Sequence, residues 1–107
     1  NQIHSNKYIF ISKNSKLNNK KIKADAVITE QKNLPIGVLT ADCVPLLLYD
    51  NKKCIIAAIH AGWKGAFKGI ISKVIRFMIK TGCKHNNINV AIGPCISQRR
   101  YSVNEDF

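Results

Sequence analysis

Apolar residues fall in short runs through the first half of the chain and in one long stripe at helical spacing in the second. Residues 8–12 combine aromatic and β-branched side chains, which predicts a strand. Residues 14–23 are rich in Lys and Asn and predict an exposed loop. Residues 26–29 predict a short strand, and after the punctuation of Asn33-Leu34-Pro35 residues 36–40 predict another. Pro45 opens the run Leu46-Leu47-Leu48-Tyr49, residues 50–53 predict a turn, and residues 54–60 the next strand. Unbroken apolar runs of this kind predict strands covered on both faces.

The helix signal is the clearest. Across residues 66–80, Phe67, Ile70, Ile71, Val74, Ile75, Met78 and Ile79 recur at helical spacing, with Lys68, Ser72, Lys73, Arg76 and Lys80 opposite. Gly82 suits the stop, and residues 88–92 resume as a strand. Strand, helix, strand predicts a βαβ crossover, and the class is α+β.

At 107 residues the chain allows one domain. It begins at Asn1 and its only methionine is Met78, which reads as a piece of a longer product. The 17 Lys+Arg against 6 Asp+Glu give +11, which raises nucleic acid as a partner. The basic residues are scattered, however, and Lys, Asn and Ile supply 41 of the 107 residues. The charge therefore reads as solvated surface, and nucleic acid is disfavoured. No apolar run approaches the roughly 18 residues that span a bilayer, so no membrane is expected. Cys43, Cys54, Cys83 and Cys95 form no CxxC pair, which points to free thiols and a reducing, cytoplasmic setting.

Candidate chemistry gathers where predicted strands end. Asp42-Cys43 follows residues 36–40, His60 closes residues 54–60, and His4 precedes residues 8–12. Two imidazoles and one thiolate make a good zinc shell, and three protein ligands leave a fourth position open, as in catalytic sites. Water in that position can ionise near neutral pH. Asp42 could orient a ligand or carry a proton. Gly62 and Gly65 around Trp63-Lys64 could let backbone amides and the Lys64 charge face a phosphate, or could simply make the turn tight. Cys95 reads as an inert thiol without a neighbouring base, and His85 as an exposed residue.

At these residues the chain resembles the laccase-domain family, also called the YfiH-like or polyphenol oxidase family, associated with purine nucleoside phosphorylase activity. The matching segments are Gln2-Ile3-His4, Ala24-Asp25-Ala26-Val27-Ile28-Thr29, Thr40-Ala41-Asp42-Cys43-Val44-Pro45, His60-Ala61-Gly62-Trp63-Lys64-Gly65 and Ile92-Gly93-Pro94-Cys95-Ile96, extended by Tyr101 and Val103. The resemblance implies His4, Cys43 and His60 as zinc ligands. It also implies layered mixed sheets flanked by helices, similar to YfiH and cytotoxic necrotizing factor catalytic domains. Implied activities are phosphorolysis of adenosine, inosine, guanosine and methylthioadenosine, with purine nucleosides and phosphate as partners, and deamination of adenosine. Lys64 stands where the family usually has Arg, and Lys lacks the bidentate grip on phosphate. Family members run beyond this chain on both sides, so it is expected to be an incomplete laccase-domain core over residues 1–107, without the upstream phosphate contacts.

Two other classes compete: a non-catalytic, metal-stabilised basic module, and a zinc hydrolase editing a peptidoglycan precursor. Multicopper oxidation is disfavoured, because its copper centres need roughly ten imidazoles and this chain has His4, His60 and His85. A single copper in the His₂Cys set, with Met78 as axial ligand, ranks below zinc.

Overall fold

Alternating side chains on five short strands build one mixed sheet, seen in a computed structural model that describes residues 1–16 and 21–102. Part of the loop expected over 14–23, and Val103, lie outside the described residues. Strands β1 (Tyr8–Ile11), β2 (Ala26–Thr29), β3 (Val44–Asp50), β4 (Ile55–Ala61) and β5 (Asn89–Ile92) lie side by side in the order β1-β2-β4-β3-β5. The β1–β2 pair is parallel and the other pairs are antiparallel, which makes the α+β class as expected. Because β4 and β5 each run antiparallel to β3, they run parallel to one another. The predicted βαβ crossover is therefore present, but it steps over an intervening strand.

The helical stripe is split. Helix α1 (Trp63–Phe67) starts three residues earlier than predicted, and α2 (Ile70–Lys80) follows a break. Gly69 makes the break: its φ of 81° is left-handed, a conformation open to glycine at little cost. Phe67 and Ile79, expected on the apolar face, are 79% and 42% exposed. Ile70, Val74 and Met78 carry that face instead and pack on Ile28, Leu46, Leu48, Ala57 and Ile59 of the sheet. Each such buried side chain contributes about 1.5–3 kcal/mol. Phe77 adds ring contacts to Tyr8 and Phe10 on β1. At the far end, the Gly82 amide donates to Ile79 O and the Cys83 amide to Met78 O, both at 3.0 Å. These paired bonds, with Gly82 at φ 112°, close α2 as its sequence promised.

Coverage on both faces holds for β4, where residues 57–61 are buried without a break, but not for β3. On β3, Leu46 and Leu48 are buried, while Leu47 and Tyr49 are 55% and 50% exposed. Helix α2 packs on the side that carries Leu46 and Leu48, so on β3 the period-2 alternation that the apolar run concealed decides burial. The strand predicted over 36–40 is also absent. That segment pairs with no strand among the described residues; instead Gln2 Nε2 donates to Leu39 O at 2.7 Å and the Leu39 amide donates to Gln2 Oε1 at 2.8 Å. A side-chain amide has taken the place of a neighbouring strand. The turn after β3 does form, with Asp50 Oδ1 accepting the Lys52 and Lys53 amides at 2.9 and 3.2 Å. No helix among the described residues is long and apolar enough to cross a membrane.

Candidate metal centre

Three chain segments meet at one end of the sheet. His60 lies near the end of β4, and the pairing of Val44 with Ala61 puts the start of β3, and hence Cys43 just before it, beside the β4–α1 turn. His4 comes from the segment ahead of β1, with its backbone in the left-handed region at φ 56°. The candidate ligand atoms of His4, Cys43 and His60 all lie within 4.8 Å of one another. The two imidazoles meet edge to face, with centroids 4.8 Å apart and planes at 79°. His60 is buried, Cys43 half-buried and His4 exposed, so the cluster opens toward solvent on the His4 side. These are the three residues that the sequence singled out for a metal.

Asp25, just ahead of β2, holds this arrangement together, a role that sequence reasoning missed. Its side chain is fully buried. It accepts the amides of Ile3 at 3.1 Å, His4 at 3.0 Å and Ser5 at 2.6 Å, and the Ser5 hydroxyl at 2.6 Å. Its Oδ1 also lies 2.9 Å from His60 Nδ1. Burial alone would push this carboxyl up; the hydrogen bonds, led by Ser5 and followed by His60 and Ile3, outweigh it and hold the group at about 2. At neutral pH Asp25 is thus a carboxylate, so His60 Nδ1 must be the donor, and Nε2 is the ring nitrogen left for a metal. Carboxylate-backed imidazole is the common way of fixing the tautomer of a metal ligand. The available signal was an acidic residue opening a strand inside a matching segment, which also fits an ordinary turn carboxylate.

Gly62, between β4 and α1, and Gly65, within α1, serve clearance. A Cβ on Gly62 would come within 2.9 Å of His4 Cδ2 and 3.5 Å of Cys43 Sγ, so its absence leaves room for two ligands. A Cβ on Gly65 would collide with the Ser5 carbonyl oxygen, so this glycine lets α1 approach the segment that carries His4. The Cys43 thiol is pushed up by burial and then by the charges of Asp42 and Asp25.

The remaining expectations fall around this cluster. Asp42 is exposed, and its carbonyl accepts the Ile96 amide at 2.9 Å. It borders two clefts. One, of about 510 Å³, includes His4, Cys43, His60 and Gln2. The other, of about 300 Å³, is lined by Cys43, Trp63 and Tyr101 among others. Lys64 is exposed, with its Nζ 5.3 Å from the Trp63 ring centroid. Cys95 and His85 are exposed and are not part of the cluster.

Two nitrogen donors and one sulfur donor, one imidazole braced by a carboxylate, fit a tetrahedral zinc shell with an open position. Fold and cluster together define an α+β domain with a candidate metal-binding centre. Residues 1–107 match the family described as multi-copper polyphenol oxidoreductase laccase, and the chain belongs to that family. A purine nucleoside phosphorylase of Rickettsia prowazekii is 41% identical over 107 residues, covering 100% of this chain and 42% of that protein. The adenosine deaminase RL5, from an unknown prokaryotic organism, is 39% identical over 82 residues, covering 77% of this chain and 31% of that protein. The crystal structure of the Bacillus licheniformis hypothetical protein YfiH matches with a TM-score of 0.81 at 27% identity, covering 98% of this chain and 42% of that one. The chain thus spans less than half the length of these relatives. Its three histidines cannot supply the several copper centres in the family's description.

Proposed function

We propose that the chain is the metal-bearing core of a zinc-dependent purine nucleoside phosphorylase working in the cytoplasm. Its substrates would be adenosine, inosine, guanosine and methylthioadenosine, with phosphate as co-substrate. The observation that carries the reading is the His4/Cys43/His60 cluster, braced by Asp25 and open to two clefts. The naming of the R. prowazekii relative supports the reaction class.

In phosphorolysis a phosphate oxygen bonds to the ribose C1′ while the C1′–N9 bond breaks. The base leaves with the electron pair and takes up a proton. Zinc held by His4, Cys43 and His60 would supply a Lewis acid. The protein's own groups do the rest. Asp25 fixes the His60 ring, and Gly62 keeps the space between His4 and Cys43 clear. Asp42, exposed at the border of both clefts, is positioned to carry the proton. Lys64 is the point charge for phosphate. Adenosine deamination is the second reading, favoured by the name of the RL5 relative: water adds at C6 and ammonia leaves. Both reactions are proposed for the whole protein, since this chain spans less than half the length of these relatives.

The test incubates inosine and phosphate with the chain and, in parallel, with the full-length R. prowazekii relative, and assays hypoxanthine and ribose 1-phosphate. Metal content is read on the same preparations and on His60→Ala. Product from the relative, with zinc in the wild-type chain and none in His60→Ala, is expected. Equal metal in both forms of the chain, or no product from the relative, overturns the reading.

A further inference from the structure

The cleft of about 300 Å³ beside Cys43 has a construction unlike the open depression over the cluster. Its walls combine aliphatic Val44 and Ile96 with two aromatic residues, Trp63 and Tyr101. Residues with polar side chains are few in its lining: Gln98 and Asp42, beside Cys43. Three separate parts of the fold supply these residues. Trp63 opens α1, Val44 opens β3, and Gln98 begins the 3₁₀ turn Gln98–Arg100 just before Tyr101. The hydrogen bond from the Ile96 amide to the Asp42 carbonyl, 2.9 Å, fastens the last of these against the segment bearing Cys43.

We propose that this cleft is the subsite for the flat heteroaromatic base of the nucleoside. The proposal rests on the phosphorylase reading and adds to it where the base sits. A purine has an extended π face, which aromatic side chains hold by stacking, and an edge of mixed donors and acceptors. A carboxamide offers one acceptor and two donors, and so complements such an edge. The cleft's volume is at the lower end of small-ligand pockets, which suits a base rather than a whole dinucleotide. Cys43 and Asp42 border both clefts, so a base held here leaves its sugar beside the cluster. Gln98 and Tyr101 then become specificity residues for the base.

The sequence contains a single tryptophan, Trp63, so its fluorescence reports directly on this cleft. The chain is titrated with hypoxanthine, inosine, ribose 1-phosphate and inorganic phosphate. Saturable quenching by hypoxanthine and inosine, with none from the two phosphates, is expected. Tyr101→Ala should weaken it about tenfold and Tyr101→Phe should retain it, the loss of one stacking partner accounting for the change. In the catalytically competent protein, Gln98→Ala should raise KM for inosine about tenfold and leave kcat within about threefold. Quenching without turnover keeps the subsite and sinks the phosphorylase reading. Turnover of inosine with no quenching, or with KM unchanged in both Tyr101→Ala and Gln98→Ala, overturns the subsite.

Discussion

Asp25 and His60 are joined twice, once through their backbones and once through their side chains. The His60 amide donates to the Asp25 carbonyl at 2.7 Å, and His60 Nδ1 donates to Asp25 Oδ1 at 2.9 Å. The first bond extends the β2–β4 pairing by one residue beyond Ala26 and Ile59, and the second aims the imidazole. A ring held at both its root and its Nδ1 has little freedom left to lose when a metal binds.

Asp25→Asn should therefore damage binding more than its size suggests. The new amide presents donors where Asp25 accepts from Ile3, His4, Ser5 and His60. Zinc affinity should fall about 10- to 100-fold, read by competition with a chelator, and stability should fall by about 1–3 kcal/mol. In the metal-free wild type the same carboxylate sets an acid limit. Its folded value of about 2 lies below the ordinary value of 3.8, so its contribution is full above 3.8 and is lost as pH falls from 3.8 toward 2. Urea midpoints across that window should drop more steeply for wild type than for Asp25→Asn.

Gly62 before α1 and Gly65 within it should separate binding from folding. Gly62→Ala places a methyl group 2.9 Å from His4 Cδ2, an exposed side chain that can move away. Metal affinity should fall at least about tenfold with little change in thermal midpoint. Gly65→Ala instead meets the backbone oxygen of Ser5, which must shift with its whole segment. That variant should lose about 1–3 kcal/mol of stability. Similar thermal midpoints for the two variants would contradict the assignment.

Gly69→Ala isolates the cost of the helix break. Nothing lies within 4 Å of a Cβ at that position, so the penalty comes from φ 81° alone. A loss of about 1–2 kcal/mol is expected by urea denaturation, with Gly69→Asn losing less.

Cys83 sets an alkaline limit. Burial, followed by the hydrogen bond and charge of Asp50, pushes its thiol from 9.0 up to about 11. The protonated thiol is the one the fold favours, so this contribution is full below 9.0 and is lost as pH rises through 11. Cys83→Ala should flatten the fall in stability between those values, and an unchanged slope would exclude Cys83 as its source.

His4, Cys43 and His60 were legible as candidates because metal-binding residue types stood beside expected strand termini, but only the family resemblance, and not their spacing, implied that His4 joins Cys43. Asp25 was not, because nothing in a sequence separates a buried carboxylate with five donors from an ordinary turn acid. Residues 36–40 have strand composition, but a strand also needs a neighbour, and the side chain of Gln2 took that place at Leu39. The apolar stripe runs through Gly69 unbroken in spacing, so periodicity could not register a reversal of φ at one glycine. Leu47 and Tyr49 read as interior because hydrophobicity reports what a side chain prefers, whereas their exposure depends on which side of the sheet α2 occupies.

The left-handed His4 backbone is held in place by its amide bond to Asp25 and by the neighbouring Ser5 contacts, all of which are protein groups. The frame of the centre is thus assembled by folding itself. A frame held by protein groups is expected to form without the ion, unlike a zinc finger, whose polypeptide waits for its ion before it can fold. Chelator treatment should then empty the centre while the far-UV signal of the sheet persists.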